Sequence, residues 1–140
     1  ILNGDTLVSE EIVARVQRDS GWPIAVTVDV KPAYDSDDMK VARDAAGRLQ
    51  HIGKPLTAAE SNAESIGFLA FRGEGADLFR NAVRAAMRTP EGVQHWYLKV
   101  IDSLASTGKV GTVSIEGLGW AEVDFLNDIE IATRLTDGWV

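Results

Sequence analysis

Between Pro23 and Val30 the larger side chains Ile24, Val26, Val28 and Val30 alternate with Ala25, Thr27 and Asp29. A period of two places the branched apolar set on one face, which an extended strand does and a helix does not. Farther along, the period changes. Phe79, Ala82, Val83, Ala86 and Met87 make a helical stripe stopped by Thr89-Pro90. Val93, Trp96, Tyr97, Val100, Ile101 and Leu104 make a second one at i, i+3, i+4, i+7 spacing. Strands interleaved with helices predict a three-layer, Rossmann-like α/β fold with a mixed, mostly parallel sheet. Binding is then expected at the carboxyl ends of its strands.

Other segments fill in this frame. Leu7 to Glu11 reads as a helix start, with Ser9 as the cap and two glutamates at the positive end of the dipole. Ile12, Val13 and Val16 share a face, and Ser20-Gly21 ends the run. Met39 to Arg43 and Leu49 to Ile52 read as short strands around the turn Asp44-Ala45-Ala46-Gly47, as a mixed sheet or a small ribbon lid. Ser65 to Arg72 is apolar at nearly every position, as a strand covered on both faces would be. Lys109 to Ile115 is a further strand, and a last helix over Leu126 to Leu135 carries Ile129, Ala132 and Leu135. The 140 residues suit one domain, residues 1–140. Beginning at Ile1, inside an apparent strand, the chain is expected to be a processed product or one domain of a longer protein.

Composition removes several classes of function. A formal charge of −7 argues against a general nucleic-acid binder, which needs a basic face. With no cysteine, thiol catalysis, disulfides and cysteine-held metals are out, which fits a cytoplasmic protein. No apolar run approaches the roughly 20 residues of a membrane span, so neither a membrane association nor a signal peptide is expected.

The chemistry is concentrated at two strand ends. Asp5 closes Ile1-Leu2-Asn3-Gly4-Asp5, and Asp124 closes Gly119-Trp120-Ala121-Glu122-Val123-Asp124. Two aspartates ending apolar runs at opposite ends of an α/β chain suggest a shared Mg²⁺ site, because hard cations take oxygen ligands from one or two carboxylates plus substrate phosphates. The alternative is that both are strand-end turn formers or helix caps. Glu122, two residues before Asp124, would share its face in a strand. It is either a group that orients a metal-bound water or substrate hydroxyl, or a rim carboxylate paired with a lysine.

Leu2-Asn3-Gly4-Asp5, Met39-Lys40-Val41, Ile52-Gly53-Lys54, Ala63-Glu64-Ser65-Ile66-Gly67 and Trp120-Ala121-Glu122-Val123-Asp124, with Asn127-Asp128 behind it, occur in that order. Together they resemble the sugar-nucleotide and phosphocholine type of nucleotidyltransferase. The W-x-E-[IV]-D ending is most similar to cytidylyltransferases acting on phosphocholine or on phosphonates. Among these, the resemblance extends to cytidylyltransferase domains joined to phosphoenolpyruvate phosphomutase in fosfomycin biosynthesis. It implies a nucleotidyltransferase fold and transfer of CMP from CTP to a small phosphonate or phosphate acceptor, with 2-hydroxyethylphosphonate favoured and pyrophosphate released. Phosphocholine, aminoethylphosphonate and sugar 1-phosphates are the alternatives. It also implies Mg²⁺ on Asp5 and Asp124, substrate contacts from Asn3, Lys54, Glu64, Trp120 and Glu122, and a fused or associated catalytic domain as partner. A free sheet edge would invite pairing with a second copy, as a homo-oligomer. One feature departs from the family. Its glycine-rich basic loop, which wraps the triphosphate and reads the base, is absent, and the mid-chain Gly73-Glu74-Gly75 has an acidic centre. A second class of function therefore stays open, a degenerate nucleotidyltransferase module that assembles with a catalytic partner.

Several groups carry competing expectations. Trp96 and Tyr97 are expected to pack in the core, and Trp22 and Trp120 are the freer candidates for a pocket wall. Lys40 and Lys54 are either anion ligands or solvated lysines. Asp35, Asp37 and Asp38 lack the glycine and distal glutamate of a calcium loop and read as a solvated loop. His51 and His95 have neither metal-ligand spacing nor a nucleophile partner. A nucleotide-sugar glycosyltransferase is the third reading, with Asn3-Gly4-Asp5 standing where a D-x-D motif is expected.

Overall fold

The computed structural model describes residues 1–18 and 21–139. Strand β1 (Thr6–Val8) leads into helix α1 (Glu10–Arg18). Ser9 Oγ accepts from Ile12 N at 3.4 Å, the anticipated cap. The Ser20 end assigned to this helix lies outside the described residues. Ile12 and Val16, one turn apart, are buried against Ile66, Ile115, Ala25 and Val113, which docks α1 on one face of the sheet.

Strand β2 (Ile24–Asp29) turns Ile24, Val26 and Val28 to the other face. There they meet Leu98 and Ile101 of helix α3 (Tyr97–Leu104), with Leu78 and Phe79 of helix α2 (Gly75–Ala86) packed beside them. Helices on both faces make the expected three layers. Each fully buried Ile, Val or Leu here is worth about 1.5–3 kcal/mol.

Strands β3 (Lys40–Arg43), β4 (Leu49–Ile52), β5 (Ala63–Phe71) and β6 (Val110–Ser114) complete the main sheet. Its order among the described residues is β4-β3-β5-β2-β6, and β1 pairs separately with β7 (Trp120–Glu122). The sheet is mixed, as expected, but it is not mostly parallel. Only β2 and β6 run parallel; β2–β5, β3–β5 and β3–β4 are antiparallel. The cause lies in the connections. Helices α2 and α3 intervene only between β5 and β6, so only there does the chain have the crossover that a parallel partner requires. From β2 to β5 the strands follow one another through loops and a hairpin. The hairpin turn then reaches the far edge: Thr112 N and Oγ1 both donate to Gly47 O, at 2.8 and 3.0 Å, and Arg48 bridges Gly111. Strand edge β6 is thereby covered.

Three expected boundaries move. Residues 1–5 are not a full strand. Ile1 and Asn3 bond to Leu69 and Gly67 of β5, Leu2 bridges Phe68, and Asp5 lies in a turn. Leu7 and Val8, read as helix start, are strand, because they pair with Ala121 and Trp120. The stripe from Val93 to Leu104 is not one helix: a 3-10 turn at Gly92–Gln94 is followed by extended His95 and Trp96 before α3 begins at Tyr97. That break rolls Trp96 out of the apolar face. It is 59% exposed, so it is not the core residue that its spacing implied.

The segment Gly73-Glu74-Gly75 is a packing turn. A side chain at Gly75 would stand 1.9 Å from Pro23 O, so glycine is what lets α2 start directly against the head of β2. Glu74 pairs with Lys109 at 2.7 Å.

Candidate functional site

Beside β5 the neighbouring position passes from residues 1–3 to Met39 and β3: Asn3 N donates to Gly67 O at 2.9 Å, and Ser65 N donates to Met39 O at 2.8 Å. Where these two segments part, a cleft of about 680 Å³ opens. It is lined by all seven residues singled out in the sequence, namely Asn3, Asp5, Lys54, Glu64, Trp120, Glu122 and Asp124.

The β1–β7 ribbon brings the two ends of the chain together. Thr6 lies opposite Glu122, and Val123 N donates to Asp5 O at 2.9 Å, so Asp124 follows directly on the residue beside Asp5. Helix α4 (Asp128–Asp137) packs on β7 and fixes the turn that carries Asp124. Asp128 Oδ2 accepts from Asp124 N at 3.1 Å and Phe125 N at 2.8 Å. The Glu122 side chain is open to the cleft, yet its carboxyl is pushed up from the usual range, first by desolvation at the wall and then by the charges of Asp124 and Asp5.

Asn3 is held on two sides. Tyr97 Oη donates to Asn3 Oδ1 at 2.9 Å. Burial, followed by the charges of Asp5 and Glu122, pushes the Tyr97 hydroxyl up to about 12, so it is the neutral donor that this bond needs. On the other side Gly67 has φ +73°, and a side chain there would approach Asn3 Nδ2 to 2.4 Å.

The opposite wall is a clamped acidic loop. Lys31, two residues past the end of β2, bridges Asp38 at 2.7 Å and Glu64 at 2.9 Å. Desolvation opposes the Lys31 charge, but the bonds to Asp38 and Glu64 outweigh it and hold the ammonium above its ordinary range. Burial pushes Glu64 up to about 7 despite Lys31. For Asp38, burial is outweighed by Lys31 and by the Asp35 backbone, and its carboxyl sits below the usual range. Lys40 is buried, and its ammonium donates to Asp35 O at 2.6 Å and Asp38 O at 3.3 Å. It shapes the loop and does not face the cleft. Lys54 stacks 4.7 Å from the Trp96 ring centroid and pairs with Asp37 at 2.6 Å. Trp120 Nε1 donates to Asp29 Oδ2 at 2.9 Å, which braces this ring as wall. Trp22, the other pocket candidate, instead packs beside Val16, Ala25 and Val113.

Sequence reasoning missed Lys31, Trp96, Tyr97 and Asp128 as cleft residues. Lys31 carried the same signal as Asp5, a charge just past an apolar strand, and Asp128 carried that of a helix-start carboxylate. Trp96 and Tyr97 were masked by a stripe that runs through a break. His51 lies at the surface, its Nδ1 3.4 Å from Asp102 Oδ1.

Among the described residues no three His, Cys, Asp or Glu side chains converge to hold a metal by themselves. Asp5 and Asp124 are hard oxygen donors beside a carboxyl whose proton affinity they raise, and such a negative spot suits a divalent ion completed by substrate phosphates.

Two solved structures that the chain matches are similar to it in fold. The inositol-1-phosphate CTP transferase from T. maritima superposes with a TM-score of 0.68 at 17% identity, over 98% of this chain and 55% of that one. A putative glucose-1-phosphate thymidylyltransferase from Bacillus anthracis, in complex with a sucrose, gives 0.72 at 13% identity, over 96% and 52%. The chain has the nucleotidyltransferase fold. It spans about half the length of the solved nucleotidyltransferase structures it matches. No protein-family model and no curated sequence matches it. In this nucleotidyltransferase fold, no helix among the described residues is long and apolar enough to cross a membrane.

Proposed function

We propose that the cleft is a Mg²⁺-dependent cytidylyl-transfer site that moves CMP from CTP to a small phosphonate or phosphate acceptor. The observation that carries this reading is the delivery of Asp5 and Asp124 to one cleft by the β1–β7 ribbon. The W-x-E-[IV]-D ending, similar to that of cytidylyltransferases acting on phosphocholine or on phosphonates, supports CTP as donor, and 2-hydroxyethylphosphonate is the favoured acceptor. An acceptor oxygen forms a bond to the α-phosphorus of CTP, the bond to the bridging oxygen breaks, and that electron pair leaves with pyrophosphate. The attacking oxygen is already anionic, so no general base is required.

Held by Asp5 and Asp124, Mg²⁺ would offset the charge gathered around the α-phosphate. The side chains supply alignment. Lys54 offers its ammonium to the acceptor's anionic group, and Glu64 and Glu122 stand where they can take substrate hydroxyls. Trp120, braced by Asp29, presents a fixed wall. Asn3, its Oδ1 taken by Tyr97, has its amide left for substrate.

A second acceptor class is favoured by a specific feature. Trp96, Tyr97, Trp120 and Phe125 stand in one cleft with Asp37 and Asp128, and aromatic faces with carboxylates suit a cationic tail. Aminoethylphosphonate and phosphocholine carry such a tail and 2-hydroxyethylphosphonate does not. Pyrophosphate release from CTP with each acceptor ranks them. Asp5→Asn and Asp124→Asn are each expected to lower kcat by about 100-fold or more with folding intact, since each removes a charge used in the transition state. Undiminished turnover in either variant removes that residue from the mechanism.

A further inference from the structure

Eight carboxylate side chains and two lysines, Lys31 and Lys54, line the cleft among the described residues. A doubly charged phosphonyl or phosphoryl group entering it needs cationic partners, and Lys54 supplies one. The other candidate is Lys31, whose side chain is one-third exposed at the wall and bonded to Asp38 and Glu64. Those two carboxylates differ in freedom. Glu64 is 5% exposed and fixed in β5, whereas Asp38 belongs to the loop between β2 and β3. An ion pair shared between two carboxylates is also open to exchange: an anion that replaces one of them relieves the repulsion between the two and keeps the ammonium paired.

Resting on the reading that the cleft takes an anionic acceptor, we propose that Lys31 is an acceptor-binding residue, stored between Asp38 and Glu64 and transferred to the phosphonyl or phosphoryl oxygens of the acceptor. Lys54 and Lys31 then grip that group together. The Asp37–Lys54 and Asp38–Lys31 pairs loosen at the same moment, so the loop over residues 31–38 yields as the acceptor seats.

The test is steady-state kinetics on the complete protein with CTP, Mg²⁺ and, in turn, 2-hydroxyethylphosphonate, aminoethylphosphonate and phosphocholine, with melting curves for every variant. Lys31→Ala is expected to raise the acceptor KM about tenfold or more while the CTP KM stays within about twofold, the loss of one charge-assisted bond. Lys31→Arg is expected to recover most of it. Asp38→Asn removes a competitor for the ammonium and is expected to lower the acceptor KM. A residue that merely staples the loop behaves in the opposite way: Asp38→Asn would then weaken the acceptor as Lys31→Ala does, and that result overturns the assignment. So does an acceptor KM unchanged in Lys31→Ala. If Lys31→Ala does not fold, the sign of the Asp38→Asn effect decides alone. Failure of the unaltered protein to turn over any of the three acceptors sinks the transfer reading itself and Lys31 with it, a result distinct from a Lys31 variant that behaves like the parent.

Discussion

Glu64 is 5% exposed, and burial lifts its carboxyl from 4.5 to about 7 even with Lys31 bonded to it. The folded protein therefore holds a proton that the unfolded chain gives up earlier. Stability from this group is fully present below 4.5 and is lost as pH rises through about 7. Glu122, also raised, adds loss of the same sign, whereas Asp38 and Asp102, both lowered, lose stability only on the acid side. Melting temperature followed across this range is expected to fall toward neutral pH in the parent, with a flatter profile in Glu64→Gln. An equally steep fall in the variant would assign the slope to another group.

At the scale of elements, the site depends on how residues 1–5 are set against β5, and the contact that sets them is unforgiving. Gly67 combines a left-handed backbone with Asn3 pressed on its open face, and Asn3 is tied behind by Tyr97. Gly73 also has positive φ, +49°, but nothing lies within 4 Å of a side chain there. Gly73→Ala thus carries only backbone strain, about 1–2 kcal/mol. Gly67→Ala carries that strain and also displaces Asn3 from the turn before Asp5. Denaturant midpoints and kcat are expected to fall further in Gly67→Ala than in Gly73→Ala, and equal losses would mean the Asn3 contact is idle. Neither the φ of Gly67 nor its neighbour was visible in the sequence, since both depend on a segment 64 residues away. What was legible is local. Alternation at Ile24–Val30 located β2, and an apolar run ending in a carboxylate marked Asp5 and Asp124. Strand direction was not legible, because it follows from which connections contain helices. Nor was the break at His95–Trp96, because a hydrophobic stripe records spacing and says nothing of backbone continuity.

The whole molecule is acidic, at −7, and its cleft more so, which on the proposed function would set how a triphosphate approaches. For a basic site, salt weakens anion binding by screening attraction. Here the net field at the cleft repels the ligand, so screening works the other way, over the roughly 10 Å Debye length of 0.1 M salt. Without Mg²⁺, CTP is expected to bind weakly and to bind better as monovalent salt is raised. With Mg²⁺ roughly half of the ligand's own charge is offset, affinity is higher, and the salt dependence shrinks. Calorimetric titration of CTP at several salt concentrations, with and without Mg²⁺, reads both arms. Affinity that falls steeply with salt in the metal-free arm would mean that Lys31 and Lys54 outweigh the eight carboxylates around them. The carboxylate pair at Asp5 and Asp124 would then lose its main physical rationale under the proposed function, in which a polyanion enters this cleft only when a cation comes with it.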